Sequence, residues 1–282
     1  MHVEQMDILS KGSAEVFVDQ YLNKKPCVIQ REISDWPAIH SWTPEYLKQN
    51  YGAAVITLAW FDPRDTATFL DQTLADVHKT MSFRDYLETL ENLDSSYALR
   101  EDTSLFEHCP GLLSELGYFS PFCSKAHVAD LKYIALWSGP ANYVTGLHSD
   151  PGETLLFQIT GSKEVTLFGP DESKFLYEED QVFQKFEQGA LELRRNRDYL
   201  EVLRDAVRWS KVNPFDSDIG KFPLLINARS IRGFIRQGDA LYIPDGWWHS
   251  LRSLDVTISV SIEPNWCGEF LLGYQNCYQQ NA

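Results

Sequence analysis

The sequence predicts a mainly β domain, a sandwich or barrel, with helices flanking it on the N-terminal side. Three observations predict it. From about Leu131 onward, short runs rich in β-branched and aromatic residues recur, each closed by Gly, Pro, Asp or Ser. Helical periodicity is concentrated in the residues before them. The last of the β runs alternates strictly, with Val256, Ile258, Val260 and Ile262 on one face and Thr257, Ser259 and Ser261 on the other. That is the pattern of a strand lying between an apolar layer and a small polar interior.

In order, the lead-in (about 1–130) mixes helices with short strands. "SAEVFVDQYLNKK" from Ser13 reads as an amphipathic helix with Val16, Tyr21 and Leu22 among its apolar positions, and "KPCVIQ" as a short strand. "WTPEYLKQNYG" offers Thr43 as N-cap, Pro44 at the first helical position and Gly52 as terminator. "VITLAWF" is a strand. "SFRDYLETLENL" carries Ser82 and Asp85 in a capping-box-like pair, then Phe83, Tyr86, Leu87 and Leu90 at helical spacing. The β core (about 131–264) consists of "LKYIALWSG", "ETLLFQIT", "KEVTLFG", "ALYIP", "HSLRS" and "VTISVSIE". One segment interrupts it: residues 178–211 look like an insert, and Leu191 to Val212 reads as helical. No repeat or linker divides the 282 residues, so a single domain over 1–282 is expected.

Composition narrows the function classes. With 25 Lys and Arg against 40 Asp and Glu, the net charge is −15. A broad basic face for nucleic acid is not expected, since phosphate neutralisation needs clustered cations. The one dense basic run, Arg194 to Arg197, reads as a solvated helix face. The N-terminus has no apolar signal region and no run reaches a membrane span, so a cytoplasmic protein (the nucleus not excluded) with no membrane partner is expected. The five cysteines form no C-x-x-C pair and read as small core hydrophobes in a reducing compartment.

The chemistry concentrates in "GLHSDPGE" and "GDALYIPDGWWHSL". In an extended segment His148 and Asp150 face the same way. If Gly161-Ser162 makes a two-residue hairpin, opposed residues sum to 323, and Thr154, Leu156, Gln158 and Thr160 share that face with Lys163, Val165 and Leu167. Parity leaves two positions open for Lys163: inward, where it needs an anion, or in water at the hairpin mouth. His249 follows a Pro-Asp-Gly turn. Two histidines and one carboxylate are the facial triad of non-haem Fe(II) oxygenases, which leaves three coordination positions for a chelating cosubstrate and O2.

These two motifs, with Lys163 fifteen residues after His148, resemble the JmjC, or cupin-like, 2-oxoglutarate oxygenases of the small hydroxylase type. "SDWPAIHSWTPEYLKQNYG" and "VNPFDSDIGKFPLL" are similar to further family segments, so the resemblance runs from about Lys25 to Pro264. It implies a double-stranded β-helix (jelly-roll) core, Fe(II) held by His148, Asp150 and His249, and 2-oxoglutarate as cosubstrate. Lys163 and Thr145 would bind the distal carboxylate, Tyr97 would complete that pocket, and Thr154 and Ser261 would line it. Trp137 and Trp248 would shape the pocket or pack the core.

The implied reaction couples O2 and oxidative decarboxylation to succinate and CO2 with hydroxylation of a protein or peptide side chain, or with demethylation of an N-methyl group. Alternatives are a small molecule or RNA as substrate, a metal-dependent cupin without 2-oxoglutarate, and a non-catalytic metal-binding module. The 178–211 insert departs from the small hydroxylases in its length, and would either lid the site and select the substrate or decorate the surface. The short tail after Pro264 leaves no room for a C-terminal dimerisation pair, so the oligomeric state stays open.

Overall fold

The computed structural model describes residues 1–60, 78–90, 97–102, 104–117, 134–178 and 207–262. The lead-in contributes strands β1 (His2–Gln5), β2 (Ile8–Ser10), β3 (Cys27–Gln30), β4 (Val55–Trp60), β5 (His78–Ser82) and β6 (Tyr97–Asp102). The core follows with β7 (Ile134–Gly139), β8 (Val144–Ser149), β9 (Thr154–Thr160) and β10 (Ser162–Phe168). Next come the two-residue β11 (Arg208–Trp209), then β12 (Arg229–Arg236), β13 (Ala240–Ile243), β14 (Trp248–Ser253) and β15 (Thr257–Ile262).

Two sheets face each other, ordered β1-β12-β10-β14-β8-β11 and β2-β3-β13-β9-β15-β7-β6-β4-β5. At their centre four strands of each, β12-β10-β14-β8 and β13-β9-β15-β7, pair antiparallel, and the chain crosses between sheets at nearly every step. This is the expected double-stranded β-helix, mainly β with flanking helices.

The helices form where the sequence places their signals. Pro44–Asn50 is capped by Thr43, whose side chain accepts from the Tyr46 N–H at 3.2 Å. Phe83–Leu90 is capped by Ser82, which accepts from the Asp85 N–H at 3.1 Å, and it buries Phe83, Tyr86, Leu87 and Leu90. Ala14–Gln20 buries Phe17, and the expected Tyr21 and Leu22 just after it are buried too, whereas Val16 is left in solvent.

Apolar side chains collect in three layers. The largest lies between the outer face of the nine-stranded sheet and the helices, and includes Leu155, Phe157, Ile159, Ile258, Val260 and Ile262. The interior between the sheets holds Leu156, Val165, Leu167, Ile235, Leu241 and Leu251. A third layer, with Leu147, Phe168 and Trp248, covers the outer face of the smaller sheet. Trp248 thus packs a core, its Nε1 donating to Ser173 Oγ at 2.8 Å, and does not shape the interior.

Two expectations are corrected. Gly161-Ser162 is no hairpin: β9 pairs with β13 and β15, while β10 pairs with β12 and β14. Gly161, at φ +74°, turns a corner between sheets, and Asp255 fixes it by accepting from the Ser162 N–H at 2.8 Å. The face assignment survives because the inner faces of two stacked sheets look at each other: Leu156, Val165 and Leu167 do share the interior. Secondly, the stretch read as helical to Val212 ends in a strand. Arg208–Trp209 extends the smaller sheet beside β8, with Trp209 opposite His148. The rest of that segment, 179–206, lies outside the described residues.

Candidate metal centre

The sheet ladder itself brings the two histidines together, since His148 on β8 and His249 on β14 are direct cross-strand partners. Both are buried, and their rings lie 4.1 Å apart. Each ring is oriented by the backbone two residues earlier. His148 Nδ1 lies 2.7 Å from the Gly146 carbonyl oxygen and His249 Nδ1 3.0 Å from that of Trp247. A carbonyl only accepts, so Nδ1 carries the proton in both rings and Nε2 presents its lone pair. Both Nε2 atoms face the partly exposed Asp150, whose Oδ2 is 3.4 Å from that of His148 and 3.5 Å from that of His249. One ligand atom from each of the three residues lies within 4.8 Å of the others.

Electrostatics favour a cation here. Burial works to raise the Asp150 carboxyl, but the two imidazoles outweigh it and hold the group well below the usual carboxylate range. Burial, helped by His148, pushes His249 down and keeps its imidazole neutral. Two imidazoles and one carboxylate, with the imidazole planes fixed by backbone acceptors, are a donor set suited to Fe(II).

Thr145 lies three residues before His148, so plain alternation would turn it away from the interior. A bulge corrects this. β8 takes three steps, from Thr145 to His148, where β14 takes two, so Thr145 opposes Leu251 while His148 opposes His249. Leu147 turns outward instead, into the third layer.

Further along the same interior face of β10 sits Lys163, four residues from Leu167, the partner of His249. That separation is about 13 Å of strand. Lys163 is buried and makes no hydrogen bond or ion pair among the described residues. Burial alone pushes its amine down to about 7. A buried ammonium without an acid is costly unless an anion joins it. A dicarboxylate bridging the metal and this lysine would be that anion, so the residues present fit 2-oxoglutarate.

Ser261 accepts from Trp137 Nε1 at 2.8 Å, which places Trp137 against the interior cluster rather than the outer core. Thr154 opposes Ile243, another interior residue. The polar face of β15 is as expected: Ser259 donates to Gln158 at 2.8 Å and Thr257 bonds Ser253 at 2.9 Å. Tyr97 does not join the group. It packs on the opposite face of the larger sheet, against the helical core, with Lys79 Nζ 5.1 Å above its ring.

Sequence reasoning missed Trp209, whose ring stacks on that of His148 at 4.8 Å with an interplanar angle of 18°. A two-residue strand has no periodicity to reveal it. Its placement rests on Arg208, which pairs through two nitrogens with Glu178, and on Ser210, which bridges to Glu178. The sequence also gave no role to Glu153 and Asp245. The Glu153 carboxylate accepts from the Tyr242 hydroxyl and from the Asn23 N–H at 3.3 Å, and Asp245 Oδ1 accepts from the Gly152 N–H at 2.8 Å.

A double-stranded β-helix with a His-x-Asp…His cluster opening on its interior defines the class as a JmjC-type oxygenase, which uses Fe(II), 2-oxoglutarate and O2. The chain belongs to the cupin-like domain family, whose model matches residues 13–267. It is 24% identical to the human bifunctional peptidase and (3S)-lysyl hydroxylase JMJD7 over 84% of this chain and 76% of that protein. It is 28% identical to lysine-specific demethylase 8 of Xenopus tropicalis, over 88% of this chain and 50% of that protein. A third relative, lysine-specific demethylase JMJ30 of Arabidopsis thaliana, is 26% identical over 86% and 50%. The chain therefore spans about half the length of the two demethylases.

Proposed function

We propose that this protein hydroxylates a side chain of a protein or peptide, with His148, Asp150 and His249 ligating Fe(II). Lys163 and Thr145 bind the distal carboxylate of 2-oxoglutarate, and Thr154 and Ser261 line its pocket, Ser261 with Trp137 held against it. The observation that carries this reading is that one interior holds both a three-ligand cluster and a buried lysine amine with no acid partner among the described residues. When bound, iron with 2-oxoglutarate and O2 supplies the oxidant that inserts oxygen into a C–H bond, releasing succinate and CO2.

The chain's own residues supply the rest. Gly146 and Trp247 carbonyls fix the imidazole planes, Trp209 covers one face of His148, and the apolar interior keeps water from the reacting centre. The net charge of −15 supports a basic peptide as substrate, through steering of a cation toward an acidic surface. The lysine-directed relatives support the same direction. The family match over 13–267 supports reading the chain as one domain. Free thiols at Cys27 and Cys109 support a reducing compartment such as the cytoplasm. No helix among the described residues is long and apolar enough to cross a membrane.

Anaerobic addition of Fe(II) and 2-oxoglutarate should produce a weak visible charge-transfer band. Folded, iron-loaded protein without that band would refute the assignment and leave a metal-dependent cupin without 2-oxoglutarate. Succinate release stimulated by a panel of basic peptides, against free amino acids and tRNA, then identifies the substrate class.

A further inference from the structure

The three metal-binding side chains are not held equally well. His148 and His249 are locked by the β8–β14 ladder, whereas Asp150 follows the last residue of β8, Ser149, and lies outside the ladder. Pro151 and Gly152 then carry the chain toward β9. Gly152 has φ +88° with open space where a Cβ would stand, so glycine is needed there for backbone conformation alone. Among the described residues, one hydrogen bond ties residues 150–152 to another segment, apart from the contacts of Asp150 with the histidines: Gly152 N–H to Asp245 Oδ1, at 2.8 Å.

Asp245 is placed for this task. It is the first central residue of the turn Pro244–Trp247, closed by the Trp247 N–H to the Pro244 carbonyl at 3.3 Å, with Gly246 at φ +72°. That is a type II turn, whose geometry demands a residue such as glycine at the second central position. Trp247, the last residue of the same turn, supplies the carbonyl that orients His249. One short turn thus touches both halves of the metal centre: through Trp247 it fixes a histidine, and through Asp245 it fixes the loop of the carboxylate. Behind the loop, the buried Glu153 anchors its other end to Tyr242 and Asn23.

We infer that Asp245 is a positioning residue for Asp150, holding the otherwise unladdered ligand in register with the two histidines. The inference rests on the assignment of the triad as a metal site. Asp245 is exposed, so its replacement should leave the metal-free fold intact.

The test uses the full chain with Fe(II) added anaerobically, and with Co(II) as a spectroscopic probe. Asp245→Ala should weaken Fe(II) binding by about tenfold to a hundredfold, as loss of an outer-sphere partner does. It should also alter the Co(II) d–d spectrum, while the melting temperature of the metal-free protein stays unchanged. Asp245→Asn keeps an acceptor at Oδ1 and should restore most of the affinity and the parent spectrum.

An Ala variant with parent affinity and spectrum overturns the inference. So does an Asn variant as impaired as the Ala variant, which would assign the effect to charge. A fall in metal-free melting temperature matching the loss of affinity would reduce Asp245 to turn support. Failure of the parent protein itself to bind Fe(II) or Co(II) would instead refute the metal site.

Discussion

The two sheets of the sandwich share strand lengths and alternation, yet one holds the fold together and the other holds the chemistry. The nine-stranded sheet presents its outer face to the helices and buries the largest apolar cluster there. To the site it contributes the hydroxyls of Thr154 and Ser261, with Trp137 against Ser261, on its inner face. The six-stranded sheet supplies His148, His249, Lys163, Thr145 and the Trp209 wall. The difference follows from what each can tolerate. A sheet backed by a continuous hydrophobic layer has stability to spare, so the opposing sheet can carry buried polar groups that are costly until their ligands arrive.

The widest separation between the sheets should come from His148→Ala. Fe(II) binding and succinate release should fall to background, while the metal-free protein stays folded and loses only about 1–3 kcal/mol, the cost of leaving the Gly146 carbonyl without its donor. A collapse of the metal-free fold would show that the histidine supports structure, and would break the division. Phe157→Ala tests the other side. Phe157 packs against Trp36 with ring centroids 5.0 Å apart, on the helical face of β9. Its truncation should cost about 3–5 kcal/mol in chemical denaturation, while the fraction still folded binds Fe(II) with parent affinity.

Lys163 sits where the two demands meet. Its amine is pushed down to about 7 in the folded protein, against an ordinary value near 10.5. Between those values the unfolded chain holds a proton that the folded one has released. The stability of the metal-free protein should therefore rise as pH increases from about 7 toward 10. The cosubstrate needs the protonated form, so 2-oxoglutarate affinity should fall over the same range. Lys163→Met should flatten both profiles and weaken 2-oxoglutarate binding by about tenfold to a hundredfold, the worth of a charge-assisted hydrogen bond. Parallel pH titrations by calorimetry and by the charge-transfer band check this; unchanged 2-oxoglutarate affinity in the variant would place the anion elsewhere.

How far the molecule could be read from its sequence follows the same division. The helical core was legible because its signals are local: Thr43 and Pro44 start one helix, and Phe83, Tyr86, Leu87 and Leu90 mark the buried face of another. The apolar interior was legible by parity, which put Leu156, Val165 and Leu167 on one side, but parity left Lys163 open between that interior and water. Strand pairing was not. Gly161 with positive φ serves a hairpin and a sheet-to-sheet corner equally, and only the distant partners β12 to β15 decide between them. The bulge that turns Thr145 inward is equally silent, because it is defined by a count on β14, about a hundred residues away. The placement of Tyr97 was not legible either, because its strand adds to the sheet with that side chain on the helical face, a register no motif records. Trp209 sits in a stretch whose periodicity suggested a helix, but edge pairing with β8 outweighs local preference there.

The smallest expected effect sharpens the comparison at its outer limit. Thr43 caps Pro44–Asn50, a helix of the lead-in whose Leu47 is buried in the large cluster. Its hydroxyl satisfies the Tyr46 N–H, which has no intrahelical acceptor in the first turn. Thr43→Ala should cost about 1 kcal/mol, and Thr43→Ser should recover most of it by restoring the acceptor. Because the carbonyl of the neighbouring Trp42 accepts from Thr160 Oγ1 at 3.3 Å, the cap lies one residue from the end of β9, at the corner that leads to Lys163. If the layers are independent, urea denaturation registers the loss while 2-oxoglutarate affinity does not move. A shift in that affinity larger than the stability loss predicts would show that the helical layer sets the corner at Gly161 and, through it, the position of Lys163.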